Sequence, residues 1–124
     1  TIVFTGLITL FAQSVVHAER SDEAELDLSV KEDIASAQVM LELCPALIGN
    51  KAELARNIDK YTAVNLKYLS NPNTTYSQLL NDPEYQTAYK EAKASTSEVD
   101  QSEQISECEN VLNIAEDLDK VNVL

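Results

Sequence analysis

The sequence predicts an all-α protein, a compact antiparallel bundle of four to five helices whose first and last helices are joined by one disulfide. Apolar residues recur at spacings of three and four along most of the chain, which is the period of amphipathic helices. No segment alternates with period two for long enough to predict a strand. Both cysteines lie on apolar helical stripes, so the two stripes must meet in one core.

The first predicted helix begins at Ser29 and ends near Cys44. Ser29 and Glu32 form a capping box, in which each side chain bonds to the other residue's backbone N–H. Pro45 has no N–H to donate and crowds the preceding turn, so the helix should end or kink there. Gly49 suits the left-handed residue that follows a helix. The apolar stripe comprises Val30, Ile34, Ala37, Leu41, Cys44 and Ile48.

Four further segments complete the predicted domain. A second amphipathic helix begins at Asn50 and breaks at residues 70–73. Thr75 caps a short helical stretch, and Asp82 followed by a proline starts the next helix. Residues 94–97 are polar and small, which predicts a loop before the last helix opens at Asp100. The apolar face of that last helix comprises Ile105, Cys108, Leu112, Ala115 and Leu118.

Residues 1–18 are interpreted as a signal peptide. They carry no charge, contain an apolar run and end in Val16-His17-Ala18, which suits a cleavage site. The chain lacks an initiator methionine, so we interpret this segment as truncated at its start. A membrane anchor is the alternative, but the run of about 16 apolar-leaning residues is shorter than the roughly 20 that a bilayer span needs. We therefore expect cleavage, export and no membrane association of the mature chain.

The formal charge of −12 is distributed unevenly. Residues 19–28 are acidic and lack an apolar stripe, which predicts a mobile tail ahead of a helical domain at 29–124. Residues 98–124 hold eight acids and one base. Such a chain should be repelled by nucleic acid and anionic membranes, so we expect neither as a partner. The simplest interpretation of an acidic surface is solubility.

The two cysteines, Cys44 and Cys108, predict one disulfide in an exported chain. Closing a loop of about 65 residues removes roughly 4 kcal/mol of unfolded-state entropy in the chain-entropy model. That is a large share of a total stability of about 5–15 kcal/mol.

The residue types argue against an enzyme and against a cofactor. The only histidine, His17, leaves with the signal peptide, and bonded cysteines supply no thiol nucleophile. Gly49 is the only glycine of the mature chain, so no glycine-rich phosphate loop can form. Paired carboxylates remain for glycosidase or Ca²⁺ chemistry, but the acids lack the spacing of a calcium loop. We expect no catalytic residue and no metal site.

The acids of the last helix are the first candidates for a partner-binding surface. Glu116, Asp117 and Asp119 lie near its end, where they oppose the helix dipole. Glu103 and Glu107 repel each other at a spacing of four residues. A sequence selected only for helix stability would avoid both arrangements. The alternative is a solvated face, because each penalty is only a few tenths of a kcal/mol.

Tyrosines supply the second candidate surface. Tyr68 and Tyr76 flank a turn, and tyrosine is enriched at binding surfaces because it combines apolar area with a hydroxyl. Tyr61, Tyr85 and Tyr89 lie on apolar stripes and are expected to be structural.

Three short segments carry a family resemblance: Lys31-Glu32-Asp33-Ile34-Ala35, Glu42-Leu43-Cys44-Pro45 and Glu107-Cys108-Glu109. They are similar to an uncharacterised family of small, two-cysteine, helical periplasmic proteins of Gram-negative bacteria. The resemblance implies a periplasmic location and brings no activity with it. A looser likeness, in architecture alone, is to periplasmic acid-stress chaperones.

These observations favour a non-enzymatic periplasmic protein that binds another protein. The acidic ends predict a basic partner, which this protein inhibits or neutralises. One alternative is a stress chaperone that exposes apolar surface when its carboxylates protonate. A second alternative is a small-ligand or cation-binding module.

Overall fold

The predicted all-α bundle is confirmed. The computed structural model describes the backbone of residues 2–123 and the side chains of residues 22–113. It contains five helices: α1 (Ile2–Ile48), α2 (Ala52–Leu66), α3 (Tyr76–Leu80), α4 (Pro83–Ser97) and α5 (Gln101–Val123). No strand occurs between residues 2 and 123.

The long helix α1 contacts α2, α4 and α5, and its most extensive contact is with α4. The two run in the same direction, since Lys31 lies beside Glu84 and, further along both helices, Glu42 lies beside Lys93. The chain returns between them along α2 and turns back again into α5 through residues 98–100. Gln104 Nε2 donates to the carbonyl of Thr96 at 2.7 Å, which ties the first turn of α5 to the last turn of α4.

Two separate apolar clusters lie along α1. We call the first the tyrosine core; its buried members are Val30, Ile34, Ala35, Leu69, Leu79, Tyr85 and Ala88. We call the second the disulfide core; its buried members are Cys44, Leu54, Ile58 and Cys108. The tyrosine core joins α1 to α3 and α4, whereas the disulfide core joins α1 to α2 and α5.

Tyr85 is the centre of the tyrosine core, with 2% of its surface exposed. Its ring meets Tyr76 edge-on at 6.1 Å between centroids, and the two hydroxyls are 3.2 Å apart. Burial, followed by the contact with Tyr76, raises the pKa of Tyr85. Beside this core, Lys31 Nζ lies 2.6 Å from a carboxylate oxygen of Asp82 and 3.0 Å from one of Glu84. Burial lowers the pKa of Lys31, but these two carboxylates outweigh it, so the pKa is raised overall.

The predicted disulfide between Cys44 and Cys108 is confirmed. Their Cα atoms are 5.7 Å apart, both cysteines are fully buried, and the bond spans 64 residues of sequence. Next to it, Asn57 Nδ2 donates to the carbonyls of Val111 and Leu112 at 3.1 and 3.0 Å. This carboxamide therefore fixes α2 against α5 at the level of the disulfide.

The start of the first helix is corrected by the structure. Ser29 is an interior residue of α1 and not its N-cap, and residues 22–28 are helical. Asp27 accepts hydrogen bonds from the backbone N–H of Ser70 at 2.9 Å and from the Ser70 hydroxyl at 2.8 Å. The acidic segment thus has a contact with the turn after α2. Its dispensability for folding, and the division into signal segment, tail and domain, stay predictions.

At the end of α1, the predicted role of Gly49 is confirmed, but the helix does not end at Cys44. Pro45 lies inside the helix, which continues to Ile48, so the proline does not end it at Cys44. Gly49 then adopts φ +87°, and its N–H donates to the Pro45 carbonyl at 3.0 Å. This is the left-handed helix end for which glycine is suited.

Two of the predicted helix starts are confirmed and one predicted loop is wrong. Thr75 and Gln78 form a reciprocal capping box, and Asp82 caps α4. Residues 94–97 are helical because α4 continues to Ser97. The hydroxyls of Thr96 and Ser97 donate to carbonyls four residues earlier, which satisfies these polar side chains within the helix.

Candidate functional site

An open groove of about 580 Å³ lies where α1, α2 and α5 meet the end of α4. We call it the acid-rimmed groove. Its apolar floor is formed by Ala37, Met40, Ile58 and Val111, which are buried or half-buried. Its rim carries three exposed carboxylates, Asp33, Glu103 and Glu107.

Helical spacing explains why these residues share one groove. On α1, Asp33, Ala37 and Met40 follow one another at spacings of four and three, so they lie on one face of the helix. On α5, Glu103 and Glu107 are one turn apart, with Val111 one turn further along the same face. The disulfide holds these two faces beside each other, and the Asn57 hydrogen bonds hold α2 against α5.

The rim carboxylates have no cation to balance them among the residues that the structure describes. No ion pair or hydrogen bond joins Asp33, Glu103 or Glu107 to a described residue, and no basic residue is among the described residues lining the groove. Tyr61 lies in the same groove, and its pKa is raised chiefly by burial and further by the charge of Asp33. The groove therefore concentrates negative charge above an apolar floor.

The amide donors of the groove are already used inside the protein. Asn57 Nδ2 donates to two carbonyls of α5, and Gln104 Nε2 donates to Thr96. The rim adds carboxylates, which are acceptors only when ionised. The arrangement thus favours a ligand that brings its own N–H donors and positive charge together with apolar surface.

A second and smaller cleft of about 330 Å³ lies over the tyrosine core, lined by Tyr76, Tyr85, Tyr89, Leu80 and Lys90 among others. Tyr89 donates to a carboxylate oxygen of Glu42, and Lys93 donates to the other oxygen at 3.0 Å. The bond to Glu42, and then burial, raise the pKa of Tyr89 to about 12. The same bond, followed by Lys93, lowers the pKa of Glu42. Tyr89, Glu42 and Lys93 are thus occupied with holding α4 on α1.

Of the predicted partner-binding residues, Tyr68 and Tyr76 have described side chains, and neither lines the acid-rimmed groove. Glu116, Asp117 and Asp119 lie outside the described residues. Tyr68 is 63% exposed and does not line the groove. Tyr76 is half-buried against the tyrosine core and bonds to Tyr85.

Most of the groove was not predicted from the sequence. Asp33 and Met40 lie on one face of α1 and Asn57 and Tyr61 lie one turn apart on α2, and only the packing of the two helices brings these pairs together. The one signal that pointed to the groove was the repulsion between Glu103 and its neighbour at a spacing of four residues.

The described residues offer neither a metal site nor a membrane-spanning helix. Among the residues that the structure describes, no group of three or more His, Cys, Asp or Glu side chains is placed to hold a metal ion. Within the same part of the chain, no helix is long and apolar enough to cross a membrane.

Comparison with known families places the chain. A family model described as "Domain of unknown function (DUF7944)" matches residues 30–111, which is more than half of the chain, so the protein belongs to that family. No curated protein and no solved structure matches the chain. Membership agrees with the predicted resemblance to an uncharacterised family, and the matched range contains both cysteines of the disulfide.

Proposed function

We propose that this DUF7944 protein is a non-enzymatic protein of the Gram-negative periplasm that captures a basic partner protein and inhibits or neutralises it. The observation that carries the proposal is the acid-rimmed groove, where Asp33, Glu103 and Glu107 surround an apolar floor without a described cation.

Folding accounts for Glu103, which lies in the first turn of α5 and complements the helix dipole, but not for the grouping of the three acids. Glu103 and Glu107 repel each other along α5, and Asp33 adds a third negative charge from α1. Other acids of the chain are exposed, but these three share one apolar depression. A bound lysine or arginine would relieve the repulsion and cover the floor at the same time.

The net charge of −12 supports capture of a basic partner at a distance. Complementary charges steer encounter and raise association rates more than they raise final affinity. Steering is screened over about 8–10 Å at physiological salt, so capture should be fastest at low ionic strength. Glu116, Asp117 and Asp119 would add to this steering, and replacing them by Gln and Asn should slow capture and flatten its salt dependence.

The disulfide supports an exported location. Buried disulfides form and persist in oxidising compartments and are rare in the cytosol. Cys44 and Cys108 are both fully buried and bonded. A periplasmic site of action for this protein is therefore part of the proposal.

The test uses three baits against periplasmic extract at low salt. We expect the wild type and the Glu109→Gln variant to retain the same basic protein and to release it as salt rises. The variant Glu103→Gln/Glu107→Gln should lose that protein. Glu109 is the matched control because it is an exposed acid of α5 that does not line the groove. Equal retention by all three baits, or no basic protein on any of them, contradicts the proposal.

An acid-stress chaperone is the second candidate, and one observation favours it. The contacts that hold α4 on α1 depend on the carboxylates of Glu42, Asp82 and Glu84. Because the pKa of Glu42 is lowered in the folded state, its contribution to stability is present above the unfolded value of about 4.3 and is lost as pH falls through the folded value. Acid would thus loosen α4 and uncover the tyrosine core.

A chaperone should bind an apolar dye and suppress aggregation of a client near pH 3. Unfolding at that pH without client protection would remove this candidate.

A small-ligand module is the third candidate, since the groove volume falls within the range of about 300–1,000 Å³ usual for ligand pockets.

A further inference from the structure

We infer that the segment bound in the acid-rimmed groove is a linear cationic amphipathic peptide, and not the charged surface of a folded basic protein. This inference rests on the proposed function and names the chemistry of its partner. It predicts that isolated peptides with lysines and leucines on defined faces are sufficient ligands.

The apolar floor is the first reason. Capture by charge alone needs only exposed acids, which the chain offers in many places. In the groove, by contrast, the acids surround Met40, Ile58 and Val111. Covering such a floor is favourable only if the partner inserts apolar side chains, because apolar burial contributes in proportion to the area removed from water. Methionine adapts its shape to different inserted side chains.

The size of the groove is the second reason. About 580 Å³ accommodates a few side chains and not a folded domain. Amphipathic helices bind such grooves through anchors at i, i+3, i+4 and i+7. Glu103 and Glu107 are themselves one helical turn apart, so they match two bases at i and i+4 of a helix that lies along α5.

The hydrogen-bonding groups are the third reason. The amides of Asn57 and Gln104 donate within the protein, so the groove presents three carboxylates to a ligand beside the hydroxyls of Ser36, Ser95 and Ser106. Lysine and arginine bring only donors, which carboxylates and hydroxyls both accept. An anionic peptide, a nucleotide or a sugar phosphate would place negative charge against the carboxylates.

The probes are four synthetic ligands of known composition. The first is a 14-residue peptide (about four helical turns) of lysine, leucine and alanine with all leucines on one helical face. The second has the same composition with the leucines spread around the helix. The third is an oligolysine of equal charge, and the fourth is the first peptide with glutamate in place of lysine. Binding is measured by titration calorimetry with the full oxidised chain at two salt concentrations.

Two protein variants separate the rim from the floor. Glu103→Gln/Glu107→Gln removes rim charge, with Glu109→Gln as the matched control. Met40→Gln makes the floor polar, and Val99→Ser, taken with it as a floor variant, removes apolar surface at a groove residue that is 37% exposed in the turn between α4 and α5. Val99→Ser is included because an exposed turn residue tolerates the change without loss of the fold. Circular dichroism and an intact disulfide confirm that each variant is folded.

We expect the first peptide to bind about tenfold more tightly than the oligolysine, and the acidic peptide not to bind. The rim double variant should weaken the first peptide about fivefold at low salt, while Glu109→Gln leaves it unchanged. The floor variants should weaken the first peptide about fivefold and leave the oligolysine unchanged. The peptide with spread leucines should behave like the oligolysine.

The outcomes separate this inference from the proposed function. If the oligolysine binds as tightly as the first peptide and only the rim variant weakens both, the inference is overturned while capture of basic partners stands. If neither the rim nor the floor variants change binding, or if no cationic probe binds, both are overturned.

Discussion

The tyrosine core and the disulfide core both hold a helix against α1, and they do so through different contacts. Each fastens a helix to α1, but α4 is held by contacts spread along its length, whereas the contacts described between α5 and α1 centre on the disulfide. Along α4, a buried ring, the Lys31 ion pairs and the Tyr89–Glu42 bond follow one another. On α5, the covalent bond and the two Asn57 hydrogen bonds lie within one turn of each other.

The acids beside the tyrosine core and those around the groove differ in whether they have a partner within the protein. Beside the tyrosine core, Asp27, Glu42 and Asp82 each accept a hydrogen bond or an ion pair from a described residue. Around the groove, the rim carboxylates have no such partner among the described residues. Carboxylates that hold the helices together and carboxylates without a described partner thus lie in separate places.

Removing the disulfide should produce the largest effect and should affect the two cores unequally. The variant Cys44→Ala/Cys108→Ala loses about 4 kcal/mol of the free energy of unfolding, because a loop of 64 residues is no longer closed in the unfolded chain. Amides of α5 should then exchange faster than amides of α4, which keep their own contacts.

Denaturant unfolding and hydrogen exchange measure both expectations. Intact mass with and without reduction first establishes that the wild type as purified has no alkylatable thiol. If α4 and α5 lose protection equally, the two cores are one cooperative unit and the distinction drawn between them fails.

The second prediction concerns the side-chain amide of Asn57, which lies beside the disulfide. Asn57 is 7% exposed, and Asn57→Ala removes the side-chain donor that the carbonyls of Val111 and Leu112 have in addition to the N–H groups of α5. A hydrogen bond contributes about 0.5–1.5 kcal/mol, so losing two of them should lower the stability by about 2 kcal/mol in denaturant unfolding. Asn65→Ala is the control, since the hydrogen bond from Asn65 to the Tyr61 carbonyl, at 2.8 Å, lies within its own helix. Equal losses for the two variants would show that Asn57 does not fix α5.

Much of this architecture follows from local sequence. The caps at Thr75 and Asp82 and the left-handed Gly49 each depend on residues within a few positions, so the sequence predicts them correctly. The disulfide was also predictable, because each cysteine lies on an apolar stripe and only one pairing exists.

The errors arise where a local pattern permits two structures. The Ser-x-x-Glu pattern at Ser29 is compatible with a helix start and also with a helix interior. In the structure α1 continues through Ser29, and Asp27 in the preceding turn contacts Ser70, 43 residues along the chain. The groove was unpredictable for another reason, since Asp33 and Glu103 come from opposite ends of the domain and meet only through the disulfide core.

The third effect appears only at high pH. The pKa of Tyr89 is raised to about 12 by its bond to Glu42 and by burial, against about 10 in an unfolded chain. The folded state therefore binds this proton more tightly. The resulting stability is fully present below about pH 10 and is lost as pH rises toward 12.

Tyr89→Phe should consequently lose less stability than the wild type between about pH 10 and 12, because this proton is no longer there to be released. Denaturant midpoints at several pH values, together with tyrosinate absorbance, measure the difference. Tyr68→Phe is the control, since Tyr68 is exposed. Identical pH dependence in the wild type and Tyr89→Phe would mean that the bond to Glu42 does not hold α4 in solution.

The smallest effect concerns the acidic segment ahead of the tyrosine core. Asp27 accepts hydrogen bonds from both the N–H and the hydroxyl of Ser70, and the two residues lie at the surface. Deleting residues 19–26 while keeping Asp27 should leave the melting temperature nearly unchanged, because that stretch has too little apolar area to offset about 1–2 kcal/mol of backbone entropy per ordered residue.

Asp27→Asn should lower the stability by less than about 1 kcal/mol, since water replaces part of an exposed hydrogen bond. Glu25→Gln, an equal change of charge on an exposed neighbour, should have no effect on the melting temperature. If the deletion lowers the melting temperature by many degrees while Asp27→Asn does not, residues 19–26 themselves pack on the domain, and the tyrosine core extends further along α1 than its buried residues indicate.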